Sequence, residues 1–157
     1  MRVGEIMTTG VNVCRDTDDL AEIACRMERL DCGCIPVTTD GGRVIGIVTD
    51  RDICLAAGRS GKPLAELRVR DAMTKPVRTC SADASPAEAE YLMREAQVRR
   101  LPVVDDSGAV VGILSLGDLA REAEHERRLR HQEVGPIEIG TTLAAICRPR
   151  SATKSRA

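Results

Sequence analysis

The chain has no tryptophan and no phenylalanine, and Tyr91 is its one tyrosine. Without such rings it has no stacking platform for single-stranded nucleic acid or splayed RNA bases. An excess of charge of either sign is also missing. The 23 Lys and Arg against 24 Asp and Glu leave a net charge of −1, which argues against nucleic acid as a partner. No apolar run approaches the ~18–20 residues of a membrane span. The opening MRVGEIMTTG lacks a hydrophobic signal core and reads as mature protein. Seven cysteines without a secretory signal read as reduced thiols in the cytoplasm. No G-x-S-x-G, H-E-x-x-H or P-loop is present, and neither His125 nor His131 lies near a candidate nucleophile in sequence. The acidic groups Asp16, Asp18 and Asp19, and Asp105 and Asp106, read as caps and turns. The expectation is a chain that is not an enzyme.

What is there is a repeat. Shifting the 157-residue sequence by 66 lays residues 3–53 on 69–119 without a gap, with about a third of the positions identical. Met7-Thr8 meets Met73-Thr74, Cys14 meets Cys80, Pro36-Val37 meets Pro102-Val103, and Asp52 meets Asp118. Two copies are too few, and the period too long, for a solenoid. The expectation is two similar lobes with cores of Val, Ile, Leu, Met, Ala and Cys: residues 3–58, a link at 59–68, and residues 69–123.

Each copy reads as an extended segment (Val11–Val13; Val77–Thr79), a helix, two strands around a glycine turn, and a second helix beginning near Asp50 or Leu116. Asp19 with Glu22, and Ser85 with Glu88, have capping-box spacing. Leu20, Ile23, Ala24, Met27 and Leu30 supply an apolar helical stripe. The unit is β-α-β-β-α, an α/β (α+β) lobe. Residues 124–157 fall outside the repeat. Glu124–Glu133 reads as a charged helix broken by Gly135-Pro136. Ile137–Cys147 is apolar and is expected to pack on the lobes or on a partner chain, and Arg148–Ala157 is basic and expected to fray.

Both strand-to-helix junctions carry Gly, two apolar residues, a hydroxyl and then Asp three residues on: Gly46, Thr49 and Asp52; Gly112, Ser115 and Asp118. A hydroxyl beside unpaired helix N–H groups suits a phosphate. A carboxylate three residues later suits the hydroxyls of a ribose, and the glycine leaves room for a ligand against the backbone. The same spacing is also that of a plain helix cap, and both readings stand at this point. Cys32-x-Cys34 lacks the second ligand pair of a structural zinc site. Packing thiols are the stronger reading, with a redox-sensing Cys34 as an alternative.

Several motifs recur in the same order in both copies: Glu5-Ile6-Met7-Thr8 and Asp71-Ala72-Met73-Thr74, Val98 to Gly108, Gly46 to Ile53, and Gly112 to Leu119. Over residues 3–123 the chain resembles a tandem CBS-domain pair, or Bateman module. That resemblance implies two lobes related by pseudo-twofold symmetry, and a regulatory rather than catalytic role. It implies a cleft ligand drawn from AMP, ADP, ATP, S-adenosylmethionine or NAD. It places Thr8, Asn12, Arg99, Arg100 and Ile113 with Ser115 and Asp118, and Thr74, Arg78, Ile47 and Arg51 with Thr49 and Asp52. Arg99-Arg100 would meet phosphate, where copy one has only Gly33-Cys34. Ile113 and Ile47 would meet adenine. A homodimer is expected from the lobe faces left to bury, with output through an unidentified effector protein. Two alternatives are a CBS-shaped interaction dimer without ligand and a cysteine-based redox or metal-responsive protein.

Overall fold

The computed structural model describes residues 1–129 and 133–149. Copy one contains α1 (Val3–Ile6), α2 (Leu20–Arg29), β1 (Cys34–Thr38), β2 (Val44–Thr49) and α3 (Asp50–Ser60). Copy two contains α4 (Val69–Ala72), β3 (Cys80–Ser81), α5 (Pro86–Ala96), β4 (Arg100–Val104), β5 (Val110–Ser115) and α6 (Leu116–Leu129), and α7 (Pro136–Ile146) follows. These are two β-α-β-β-α lobes. The antiparallel ladders of β1 with β2 and of β4 with β5 share one register. Cys34 faces Thr49 as Arg100 faces Ser115, and each ladder shifts at the same place, between Val37 and Thr38 and between Val103 and Val104. Gly42 (φ 78°) and Gly108 (φ 81°) close the hairpins in a conformation that favours glycine.

The leading strand differs from expectation. Pairing begins not at Val11 or Val77 but at Cys14, bridged in parallel to Val37, and at Cys80–Ser81, parallel to Val103 and Val104. Cys14 and Cys80 are the buried positions, while Asn12 and Arg78 are exposed. The backbone joins the sheet where a side chain enters the core. At the helix starts, Ser85 and Glu88 form the full reciprocal box. Asp19 accepts from the Glu22 N–H (2.8 Å), but the Glu22 carboxylate pairs with Arg26 instead. α3 continues through Gly58 and Arg59 to Ser60 and ends at Gly61 (φ 64°), so the helix takes up the first residues of the expected link.

The two cores exchange their leading turns. Val3 is buried in the cluster of lobe two with Met93, Leu101, Val103 and Leu114. Val69 is buried in the cluster of lobe one with Leu20, Ile23, Ile35 and Val48. Val3 N–H donates to Ala84 O (2.9 Å) and Val69 N–H to Asp18 O (2.9 Å), the same bond 66 residues apart. Each lobe is therefore completed by the other copy's first turn.

The described part of the charged segment, residues 124–129, is the end of α6, not a separate helix. The apolar segment after Gly135 is α7, and it lies on α5 and α6. Ile146 and Val134 enter the lobe-two core. A buried polar set fixes the register of this contact. Thr142 Oγ1 donates to Glu90 Oε2 (2.6 Å) and accepts from Arg94 Nη1 (2.9 Å). Gln97 Nε2 donates to Ala145 O (3.3 Å) and Arg148 O (3.0 Å) at the end of α7. Replacing Thr142 by Val keeps the shape and leaves buried Glu90 short of a donor. It is expected to cost about 1–3 kcal/mol in urea unfolding. The tail 150–157 and His131 lie outside the described residues.

Candidate functional site

Each Ser/Thr-x-x-Asp junction sits where the last residue of a strand caps the helix that follows. Thr49 N–H and Oγ1 donate to Asp52 Oδ2 (2.9 and 2.7 Å), and Asp52 N–H returns a bond to Thr49 Oγ1 (3.2 Å). Ser115 N–H and Oγ donate to Asp118 Oδ2 (2.7 and 2.6 Å), and Asp118 N–H donates to Ser115 Oγ (3.1 Å). Both are complete capping boxes. They differ in charge environment. Asp118 is buried and pairs through Oδ1 with Arg121, whereas Asp52 is half-buried.

The exchanged segments arrive beside these junctions. Thr8 and Ile113 trade two backbone bonds (2.9 Å each), and Thr74 and Ile47 do the same (2.8 and 3.2 Å). Thr8 and Ile113 are thus brought together two residues from Ser115, and Thr74 and Ile47 two residues from Thr49. The junction glycines serve this approach. A Cβ at Gly46 would stand 2.9 Å from Met73 Sδ and 3.2 Å from Thr74 O. A Cβ at Gly112 would collide with Met7 Sδ and stand 2.9 Å from Thr8 O. On the side where a Cβ would stand, the space at these glycines is taken by the Met73 and Met7 sulfurs and the Thr74 and Thr8 carbonyls of the exchanged segments.

The remaining residues lie at the edges. Asn12 and Arg78, four residues beyond Thr8 and Thr74, are exposed, as are Arg51 and Arg99. Arg100 faces Ser115 in the ladder. Its guanidinium also reaches lobe one, with Nη2 3.6 Å from the Cβ position of Gly33. There it lines a cavity of about 540 Å³ with Asp50, Glu28, Asp31, Met27 and Ile53. A second cavity, of about 280 Å³, lies between Arg15, Asp18 and the Thr39–Asp40 turn. Of the residues chosen from sequence, only Arg100 lines either of these two cavities. Sequence reasoning missed the first cavity. Its signal was the contrast between copies at Ala24/Glu90, Glu28/Arg94 and Asp31/Gln97.

Of the acidic groups, Asp18, Asp19 and Asp105 behave as caps and turns. Asp18 accepts from Arg15 N–H (3.0 Å), and Asp105 accepts from Ser107 N–H, Ser107 Oγ and Ala109 N–H (2.9, 2.6 and 3.0 Å). Those bonds, led by the Ser107 hydroxyl, hold the Asp105 carboxyl below its ordinary range.

All seven thiols are free. Burial pushes Cys14 up to about 12, and Cys34 and Cys80 up to about 11. A sensing thiol needs the thiolate at neutral pH, so burial removes the ground for Cys34 as a redox sensor. Among the described residues, no three His, Cys, Asp or Glu side chains converge to hold a metal. Two results are expected. Exposed Cys25, Cys54 and Cys147 react first with a thiol reagent at pH 8, and Cys14, Cys34 and Cys80 react only on unfolding. Stability also falls as pH rises from 9 toward 11–12. In that window the unfolded chain releases protons that the folded chain retains.

A family model described as CBS domain matches residues 3–59 and 69–125. The uncharacterized protein MK0525 of Methanopyrus kandleri is 35% identical over 117 residues, which are 74% of this chain and 60% of that one. The chain thus spans less than two thirds of that relative. A crystal structure of Hypoxic Response Protein I with two coordinated zinc ions superposes at a TM-score of 0.71 and 30% identity, covering 77% of this chain and 98% of that one. A crystal structure of CBSX2 in complex with AMP superposes at 0.71 and 26% identity, covering 81% and 98%. No helix among the described residues is long and apolar enough to cross a membrane.

Proposed function

The chain belongs to the CBS-domain family, as a tandem pair, and on that premise we propose that it is a non-catalytic sensor of an adenosine-containing ligand. The family is regulatory, and the described residues hold no catalytic constellation. One observation carries the reading: each hydroxyl-and-carboxylate junction stands beside the other copy's exchanged segment. A ligand held there touches both copies and can favour one arrangement of the lobes by its differential affinity. The AMP bound to CBSX2 indicates the ligand class.

In this reading Ser115 gives up its bond to Asp118 and turns to phosphate, beside the N–H groups that open α6. Asp118 takes the ribose hydroxyls, sharing its charge with Arg121. Ile113 flanks adenine, Thr8 and Asn12 close the rim, and Arg99 meets phosphate, joined by Arg100 once its guanidinium turns from Gly33. Copy one repeats this with Thr49, Asp52, Ile47, Thr74, Arg78 and Arg51. It lacks the arginine pair, so the Ser115/Asp118 cleft is the tighter site. Calorimetric titration with AMP, ADP, ATP and S-adenosylmethionine tests this. Saturable heat with one of them is expected, and no heat with any would remove the reading. The complete capping boxes favour a second reading, a CBS-shaped interaction protein without ligand, because they satisfy the junctions without one.

A homodimer belongs to the proposal. Ile137, Tyr91 and Leu143 stand 80%, 57% and 44% exposed on α5 and α7, an apolar set of the kind a partner copy covers. Ile137→Asp with Leu143→Asp is expected to convert a dimer to a monomer in sedimentation. An unchanged dimer would place the interface elsewhere. Seven free thiols fit a cytoplasmic home. Output then runs through an effector protein.

A further inference from the structure

The cavity on lobe one is the counterpart of the groove that α7 fills on lobe two. At an offset of 66, its Ala24, Glu28 and Asp31 replace Glu90, Arg94 and Gln97, which are the side chains that grip α7. Its floor of Met27 and Ile53 replaces Met93 and Leu119, which share a core cluster with Ile146 of α7. The apolar floor is retained, but the buried acceptor Glu90 becomes Ala24 and the two donors Arg94 and Gln97 become the carboxylates Glu28 and Asp31. On lobe two the groove offers two donors, Arg94 to Thr142 Oγ1 and Gln97 to the carbonyls of Ala145 and Arg148, beside one buried acceptor, Glu90, which takes the Thr142 hydroxyl. On lobe one the same positions offer only carboxylate acceptors, Glu28 and Asp31, with Asp50 beside them and Arg100 as the single cation on the rim.

We propose that this groove docks an α-helix of a partner protein, apolar on one face and bearing Lys or Arg donors where α7 bears acceptors. Charge complementarity selects it. The α7 of a second copy would set the carbonyl oxygens of Ala145 and Arg148 against Asp31, an acceptor-to-acceptor contact that forms no hydrogen bond, and only its Thr142 hydroxyl could donate to Glu28 as it does to Glu90. The apolar floor calls for a helix rather than a lone basic segment. The proposal names the surface through which a module of this kind reaches an effector. It does not depend on which ligand occupies the clefts.

Two helix-constrained peptides test it by fluorescence anisotropy on the full chain. One has the sequence Pro136–Cys147, and the other is the same helix with Thr142→Lys and Cys147→Arg. The basic peptide is expected to bind, to lose at least tenfold in affinity to Glu28→Gln/Asp31→Asn, and to keep its affinity for the off-groove control Glu95→Gln/Asp106→Asn. Asp31 has a positive φ of 48°, which Asn tolerates, so the variant keeps the fold. In Ala24→Glu/Glu28→Arg/Asp31→Gln, which copies the lobe-two pattern, the preference is expected to reverse toward the unmodified α7 peptide. Equal binding of both peptides, no binding of either, or a preference unmoved by the triple exchange would overturn the proposal. So would self-association lost on Glu28→Gln/Asp31→Asn, which would make a second copy the occupant. None of these readouts involves a nucleotide, so failure here is separate from failure of the sensor reading.

Discussion

Gly112→Val is expected to destabilise the protein by about 3 kcal/mol, lowering the midpoint of thermal unfolding by roughly 6–12 °C for a chain of this size. The cause is the exchanged segment. A Cβ on Gly112 falls on Met7 Sδ and 2.9 Å from Thr8 O. The sulfur lies at the end of a flexible side chain. The Thr8 carbonyl is backbone, and it accepts the Ile113 N–H at 2.9 Å. It cannot move without giving up that bond, and Val3 of the same segment is buried in the lobe-two core. Gly46→Val is expected to cost less, because there the added Cβ stands 2.9 Å from Met73 Sδ and 3.2 Å from Thr74 O. Equal midpoints for the parent and Gly112→Val would mean that the segment does not pack on β5.

Asp118→Ala is expected to act twice. Asp118 Oδ2 accepts from Ser115 N–H and Oγ, and Oδ1 pairs with Arg121. Losing the reciprocal half of the cap is expected to cost about 1–2 kcal/mol of stability. If the carboxylate also holds a ribose, affinity for the nucleotide falls tenfold to a hundredfold. That corresponds to the roughly 1.5–3 kcal/mol of hydrogen bonds to a charged group. The two effects separate in one titration series. A cap alone predicts a lower midpoint with the ligand-induced rise intact. A binding carboxylate predicts that the rise disappears too. Asp52→Ala provides the comparison, and its effect on affinity is expected to be smaller because copy one lacks the arginine pair.

The repeat carried much of the fold into view. Identical spacing fixed matching ladders, so the register of β4 and β5 followed from that of β1 and β2. Helix starts were legible because Asp19, Ser85 and the junction hydroxyls bond within three residues of themselves. What depends on distant partners was harder to see. The packing role of the junction glycines is not legible in the sequence, because Met7 and Met73, which pack on them, are distant along the chain. The seat of α7 could not be read, because Glu90 and Thr142 meet across 52 residues. Nothing local marks Glu90 as buried except that Ala24 holds the same place in the other copy. The reach of Arg100 into lobe one depends on how the copies face each other, which no periodicity encodes.

The most direct test of the sensor reading is thermal unfolding of the unmodified protein with AMP, ADP, ATP or S-adenosylmethionine, each against a ligand-free control. A ligand that binds the folded chain and is present at ~100 times its dissociation constant adds about 2.7 kcal/mol, a rise of roughly 5–11 °C for a chain of this size. The account predicts that rise with an adenosine-containing ligand, and its loss in Asp118→Ala. Midpoints identical across the panel would contradict it, and would leave the Ser/Thr-x-x-Asp junctions as helix caps in an interaction protein.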